Sequence, residues 1–282
     1  MQSRTSLVVT PVFSSDARRL TEAMRAKQTD VGLFSGRAAL EADRGSAGQV
    51  FARALEADGL EAHASALIVA ARSRITLDEV LKCGRRLSFA AGDADSITAS
   101  LAPLTYLFAP RGIDPAVCFR QVREIADGRS RLAAVADGKI DLAAGAAARW
   151  SLEAGGEPGH ANGVRAIWFS PPLPTDSLIW RKDLDPAVKE TLRQFFLTYG
   201  QGDSAQAGRQ KAALAALELG GFEPADEGHL LPIREMEATK QWLEAKTTRD
   251  PARIAAAARA LSSIKAERMA LEARTRAPAA AQ

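Results

Sequence analysis

Cysteine is scarce in this 282-residue chain, with Cys83 and Cys118 its two thiols. Two are too few for a disulfide framework, and their placement has no metal-ligand spacing. Cys83 falls inside a helical stretch and Cys118 lies between Val117 and Phe119, so each reads as a packed thiol. No run of about eighteen apolar residues occurs, so no segment reads as a membrane-spanning helix. Charge of one sign is not in excess: 37 Lys and Arg stand against 34 Asp and Glu, a net +3. The basic residues are scattered and no recognition motif accompanies them, which argues against a nucleic-acid partner. Histidine is scarce as well, with three in the chain. His63, His160 and His229 have no metal spacing, and no Gly-x-Ser-x-Gly, Cys-x-x-Cys or phosphate-binding Gly-Lys-Ser/Thr loop is present. No catalytic residue, metal or cofactor is therefore expected, and Trp150, Trp168, Trp180 and Trp242 read as core or surface residues. The opening Met1-Gln2-Ser3-Arg4 passes directly to Leu7-Val8-Val9. That apolar stretch is too short for a secretory signal, so any leader is expected upstream of this start.

What is present is a globular composition, 46% hydrophobic and 25% charged, long enough for one or two domains with a core. Short apolar runs alternate with helical periodicity, the pattern of an α/β protein with a mainly parallel sheet. Strands are expected over 8–12, 30–34, 49–55, 66–69, 87–90, 122–125, 141–143, 164–169 and 177–180. Helices are expected from Ser15-Asp16 toward Asp30, over 37–44, from Asp185-Pro186 to Gly200, and over 209–219, 233–245 and 250–273. Thr76-Leu77-Asp78-Glu79 is a capping box, because hydroxyl and carboxylate satisfy the first free amides of the helix that follows. Ser170-Pro171-Pro172-Leu173-Pro174 lacks the donors for a sheet ladder and marks a crossing between domains. Two stretches, from Arg19 to Val31 and from Arg131 to Leu142, repeat a helix, a polar turn and an Asp that opens a strand.

Binding chemistry concentrates after the run Leu87-Ser88-Phe89-Ala90. There Gly92-Asp93-Ala94-Asp95 leads into Ser96-Ile97-Thr98-Ala99-Ser100 at the start of a helix that Pro103 should kink and Gly112 should stop. Hydroxyls, free amides and the positive helix end converge at such a point and suit an anion. Ser35-Gly36, ahead of the helix over 37–44, is a second and weaker example.

Several stretches together resemble the periplasmic phosphonate-binding proteins that serve phosphonate ABC transporters. They are Gln49-Val50-Phe51-Ala52 with Ala57-Asp58-Gly59, Gly92-Asp93-Ala94-Asp95-Ser96 with Pro103, Ile179-Trp180-Arg181-Lys182, Phe195-Phe196-Leu197-Thr198-Tyr199-Gly200 and His229-Leu230-Leu231-Pro232-Ile233-Arg234. They follow the family's order from about Leu7 to Arg249. The resemblance implies an α/β, two-lobed periplasmic-binding-protein-like fold of type 2, each lobe a mainly parallel sheet flanked by helices, with a helical C-terminal segment. Lobe 1 is expected over 1–72 and 175–249, lobe 2 over 73–174, and a C-terminal helix and tail over 250–282. The chain begins at what corresponds to the family's second strand, so lobe 1 is expected to lack its first strand and to carry an open edge.

The same resemblance implies a solute-binding component of an ABC importer, periplasmic, that captures a phosphonate or related small oxyanion by lobe closure and delivers it to permease subunits. Ser96 and Thr98 then hold the anion, with Ile97 at the middle position of the family's Ser-Thr-Ser loop. Ser35, Gly36 and Phe34 belong to the other lobe, with Phe34 where the family has a tyrosine. Of the two carboxylates that hold a ligand amine, one is matched by Asp176 and the other is replaced by Ala148. The family's histidine falls near Asp127 or Gly128, and Arg129 or Arg149 is the candidate replacement cation. The alternative is a degenerate member acting as a sensory or protein-interaction module without a transport ligand. An enzyme on the same fold, with a reactive cysteine, lacks a thiol in an anionic pocket.

Overall fold

Two units are built from separate stretches of the chain: Met1–Ala62 with Pro174–Ile233, and His63–Leu173 with Arg234–Gln282. The computed structural model describes residues 5, 7–14, 17–45, 48–57, 64–147, 160–161 and 163–276. In chain order the first elements are α1 (Ala17–Arg25), β1 (Val31–Phe34), α2 (Gly36–Gly45), β2 (Gly48–Glu56), β3 (Ser65–Ala70), α3 (Leu77–Leu81) and β4 (Ser88–Ala91). Two wide-turn π segments follow, Ile97–Leu101 and Pro103–Phe108, then α4 (Pro115–Cys118), β5 (Gln121–Glu124), α5 (Gly128–Ala136), β6 (Leu142–Ala146), β7 (His160–Ala161) and β8 (Val164–Phe169). The chain continues through β9 (Ser177–Arg181), α6 (Pro186–Thr198), α7 (Ala205–Ala215), β10 (Leu219–Pro224), α8 (Leu231–Thr247) and α9 (Pro251–Arg276).

Unit 1 holds a four-stranded sheet in the order β1-β9-β2-β10, every pairing antiparallel. Its core is aromatic. Phe51 stacks on Trp180 with centroids 4.0 Å apart and planes 4° from parallel; Phe196 lies tilted against Phe51 and meets Phe222 edge to face. The Trp180 indole donates to Gln49 Oε1 at 3.0 Å, so its polar atom is satisfied inside the sheet. Close packing here depends on glycine: a Cβ on Gly48 would lie 2.6 Å from the Ala42 carbonyl oxygen.

Unit 2 holds a six-stranded sheet in the order β5-β4-β6-β3-β8-β7. β4 runs parallel to β5 and β6, while β3 is antiparallel to β6 and β8. All six residues of β3 are buried. Alternation along the strand sends Ala66 and Ile68 into one apolar cluster, with Leu132, Val135 and Ala143, and Leu67 and Val69 into another, with Phe89, Phe108 and Phe119. A strand covered on both faces reads as a continuous apolar run for that reason.

Four differences from the sequence expectation follow from pairings that are remote in sequence. The sheet of unit 1 is antiparallel and that of unit 2 mixed, rather than mainly parallel. β3, expected in lobe 1, belongs to unit 2 because β6 and β8 are its partners. The segments expected as the end of lobe 1 and as a separate C-terminal helix also join unit 2: Glu235 on α8 is only 2% exposed, and Arg268 on α9 meets it at 2.6 Å. A buried carboxylate needs such a partner, and this one fastens α9 to α8. Residues 8–12 form no strand. Val8 and Phe13 are 87% and 93% exposed, and an extended stretch without a ladder has nothing to hold it.

The two cysteines also differ from expectation. Cys83 and Cys118 are joined as a disulfide across a sequence separation of 35, linking the chain just after α3 to the end of α4.

Candidate functional site

β4 lies inside the unit 2 sheet, between β5 and β6, and is pinned at its start. Both the amide and the hydroxyl of Ser88 donate to Asp141 Oδ2 at 2.7 Å. Its C-terminal end delivers the chain into the loop 92–96. The loop folds tightly: Gly92 N donates to the Ala99 carbonyl at 3.2 Å, and Ser100 Oγ donates to the Gly92 carbonyl at 3.1 Å. Only glycine fits there, since a Cβ would stand 2.7 Å from Ala99 Cβ and 3.0 Å from Ser96 Cβ.

Ser96 is the N-cap. Its Oγ accepts the Ala99 amide at 3.3 Å, which leaves its own proton free to donate. Ile97 and Thr98 open the helical run, and their amides have no acceptor among the described residues. The Thr98 hydroxyl, half-buried, likewise makes no hydrogen bond there, while the Thr98 carbonyl is held by Ser65 Oγ at 2.6 Å. The run does not break at Pro103. It widens instead, with Ala102 N donating to Ile97 O and Ala109 N to Leu104 O, one residue farther back than in an α-helix. It ends at Gly112, whose φ of +66° is the left-handed stop expected there.

Charge around this helix start is managed. Asp93 accepts the Asp95 amide at 3.1 Å, and Asp95 is paired with Lys240 at 2.8 Å. The Ser96 and Thr98 hydroxyls and the Ile97 and Thr98 amides therefore stand together at a helix start, the kind of place that suits an oxyanion.

The helix start at Asp127 is different. Asp127 caps α5 by accepting both the Ser130 amide at 2.8 Å and the Ser130 hydroxyl at 2.7 Å. Those bonds from Ser130 hold the carboxyl below its usual range. One of the two positions expected for the family's histidine, Asp127, thus carries a negative charge. Arg129 is exposed on the first turn, and the buried Arg131 donates to the carbonyls of Ile125 and Ala126.

In unit 1, Asp176 is half-buried immediately before β9, and its carbonyl accepts the Ala54 amide at 2.8 Å. Ser35 is exposed at the end of β1, with its carbonyl accepting from Ala38 N at 3.0 Å. Gly36 has φ of +48°, a turn that glycine adopts without strain. Phe34 is 2% exposed, so its ring packs into unit 1 beneath Ser35 and brings no hydroxyl. Ala148, Arg149, Trp150 and His63 lie outside the described residues.

Residues that sequence reasoning passed over support both groups. Ser65 and Lys240 brace the loop of unit 2. In unit 1, His229 Nε2 lies 2.9 Å from the Thr175 carbonyl. Burial pulls its imidazole below the usual range, the Arg53 guanidinium adds to that, and the Thr175 bond and Asp226 oppose it.

The model of the family described as "ABC transporter, phosphonate, periplasmic substrate-binding protein" matches residues 1–230. The phosphonates-binding periplasmic protein of Escherichia coli (strain K12) is 29% identical over 250 residues, 88% of this chain and 72% of that protein. The crystal structure of a binding protein component of an ABC phosphonate transporter from Pseudomonas aeruginosa superposes with a TM-score of 0.68 at 31% identity, covering 97% of this chain and 89% of that one. A Prochlorococcus marinus (MIT 9301) protein in complex with methylphosphonate gives a TM-score of 0.63 at 16% identity, covering 86% and 89%. The last likeness is one of fold.

Proposed function

Because the chain belongs to the periplasmic substrate-binding proteins of phosphonate ABC transporters, we propose that it captures a phosphonate or a related small oxyanion through the helix start at Ser96. In this reading Ser96 and Thr98, with the amides of Ile97 and Thr98, bind the anionic oxygens. Within unit 1, Asp176 is assigned to a ligand amine where one is present, and Ser35 and Gly36 to further polar contact. Arg129 contributes long-range attraction at most, because it shares its turn with the Asp127 carboxylate.

The carrying observation is the pair of unspent hydroxyl protons beside unspent amides at residues 96–98. Such bonds to an oxyanion are each worth on the order of 1–3 kcal/mol. Several together support micromolar or tighter binding even with Ile97 in the middle position.

The role assigned is binding without turnover. The Cys83–Cys118 disulfide fits the oxidising periplasm in which the family works. Delivery of the anion to permease subunits at the membrane completes the proposal.

A thermal-shift screen of the full chain with 2-aminoethylphosphonate, methylphosphonate, phosphate, phosphite and sulfonates tests it. A phosphonate at a hundredfold excess over its Kd should add about 3 kcal/mol of stability. A folded chain that responds to none of these anions contradicts the proposal and favours a protein-interaction module.

A further inference from the structure

Asp176 sits at a place where the backbone has few ways to be held. The crossing before it, Ser170-Pro171-Pro172-Leu173-Pro174, contains three prolines, and their nitrogens carry no hydrogen. The ladder between β9 and β2 reaches back only to Asp176, whose carbonyl accepts the Ala54 amide at 2.8 Å. The preceding peptide, which joins Thr175 to Asp176, lies one residue beyond it.

That peptide is held by side chains. Thr175 Oγ1 donates to the Ala54 carbonyl at 2.7 Å, with Thr175 only 9% exposed. The Thr175 carbonyl accepts from His229 Nε2 at 2.9 Å. A carbonyl oxygen only accepts, so Nε2 carries the ring proton and Nδ1 of the neutral ring is bare. Both peptide planes flanking the Asp176 Cα are thereby fixed, one by His229 and one by Ala54. Thr175 and Ser177 are both buried, while Asp176 between them is half-buried. The held peptides limit the positions open to the Asp176 carboxylate.

We infer that His229 is a positioning residue for recognition of a ligand's ammonium group: by holding the Thr175 carbonyl it fixes the peptide that presents Asp176, and so sets the preference for amine-bearing over amine-free phosphonates. The inference rests on the proposed role of Asp176. The charged groups acting on the ring are Arg53 from β2 and Asp226 at the cap of the turn that carries His229. Burial, aided by Arg53 and opposed by Asp226 and the Thr175 bond, holds the imidazole below its usual range, so the neutral ring orients Asp176 without competing for it as a second cation.

The test is isothermal titration of the full chain with 2-aminoethylphosphonate and methylphosphonate, for wild type, His229→Ala, His229→Gln and Asp176→Asn. Wild type prefers the aminophosphonate, and Asp176→Asn abolishes the preference. His229→Ala lowers the ratio of the two affinities by about tenfold, almost wholly through the aminophosphonate. His229→Gln, whose side-chain amide also donates, recovers the ratio to within about threefold. Equal weakening of both ligands by His229→Ala, or an unchanged ratio, overturns the inference and leaves the proposed function standing. A preference that survives Asp176→Asn overturns it as well, because the amine is then read elsewhere. Wild type that binds neither ligand removes the proposed function and the inference with it. Should His229→Ala fail to fold, nitrogen NMR of the wild-type ring decides: a protonated Nε2 supports the inference, and a bare Nε2 overturns it.

Discussion

Two neighbouring parallel strands of unit 2, β4 and β5, run side by side from Ser88↔Gln121 to Ala91↔Glu124, and each feeds a helix start. At the first, Ser96 caps with a neutral hydroxyl that still has a proton to give. At the second, Asp127 caps with a carboxylate already bonded to the Ser130 amide and hydroxyl. The local topology is the same and the electrostatics are opposite. A helix N-terminus therefore suits an anion only where its cap leaves donors unspent and brings no charge of its own.

The comparison can be broken in steps of decreasing size. The Cys83–Cys118 link closes a loop just ahead of β5 and so supports the strand that makes the two starts comparable. Replacing Cys83 with Ala should cost about 4 kcal/mol by loop-closure entropy, read from denaturant midpoints without reductant. An unchanged midpoint would show that β5 is held by packing alone. Ser96→Asp converts the first start into the second. Methylphosphonate affinity should fall by at least about a hundredfold, while stability moves by no more than about 0.5 kcal/mol because Asp caps as well as Ser. Retained affinity would place the anion elsewhere. Ser96→Ala removes the cap and the donor without adding charge, so affinity should drop about tenfold and stability by about 1 kcal/mol; titration and melting of one preparation separate the two effects.

The smallest effect is at the second start. Asp127 has its pKa lowered in the fold by the Ser130 bonds, so its stabilisation is present above the ordinary carboxylate value. It is lost as pH falls through the lowered one, below about pH 4. In Asp127→Asn the acid limb of the melting curve should flatten in that window while phosphonate affinity stays put. A limb identical to wild type would show that the Ser130 bonds do not persist in solution.

Much of this was legible in the residues. The capping box is formed as expected, with Thr76 Oγ1 accepting the Glu79 amide and Glu79 Oε2 accepting the Thr76 amide. The Ser96 cap and the Gly112 stop are local in the same sense, since each is settled within four residues. Strand directions were not legible, because pairing is decided by partners far away: β3 finds β6 and β8 across more than 70 residues. β10 escaped notice because Gly220 and Gly221 dilute its apolar pattern. The structure uses both at a bulge, where a Cβ on Gly220 would lie 2.5 Å from the Glu56 carbonyl oxygen. The disulfide joins positions whose proximity no local pattern encodes. His229 was hidden for a related reason: its partner is a main-chain carbonyl 54 residues away, and a backbone acceptor leaves no trace in residue identity. Phe34 and Ile97 were recognisable as departures only against the family's pattern.

The most direct measurement is equilibrium titration of the full wild-type chain and of Ser96→Asp, in parallel, with methylphosphonate. The expected result is saturable one-site binding to wild type and none to the folded variant at the same concentrations. Equal binding by both proteins, or no binding by a folded wild type, would contradict the assignment of the anion to the helix start at Ser96.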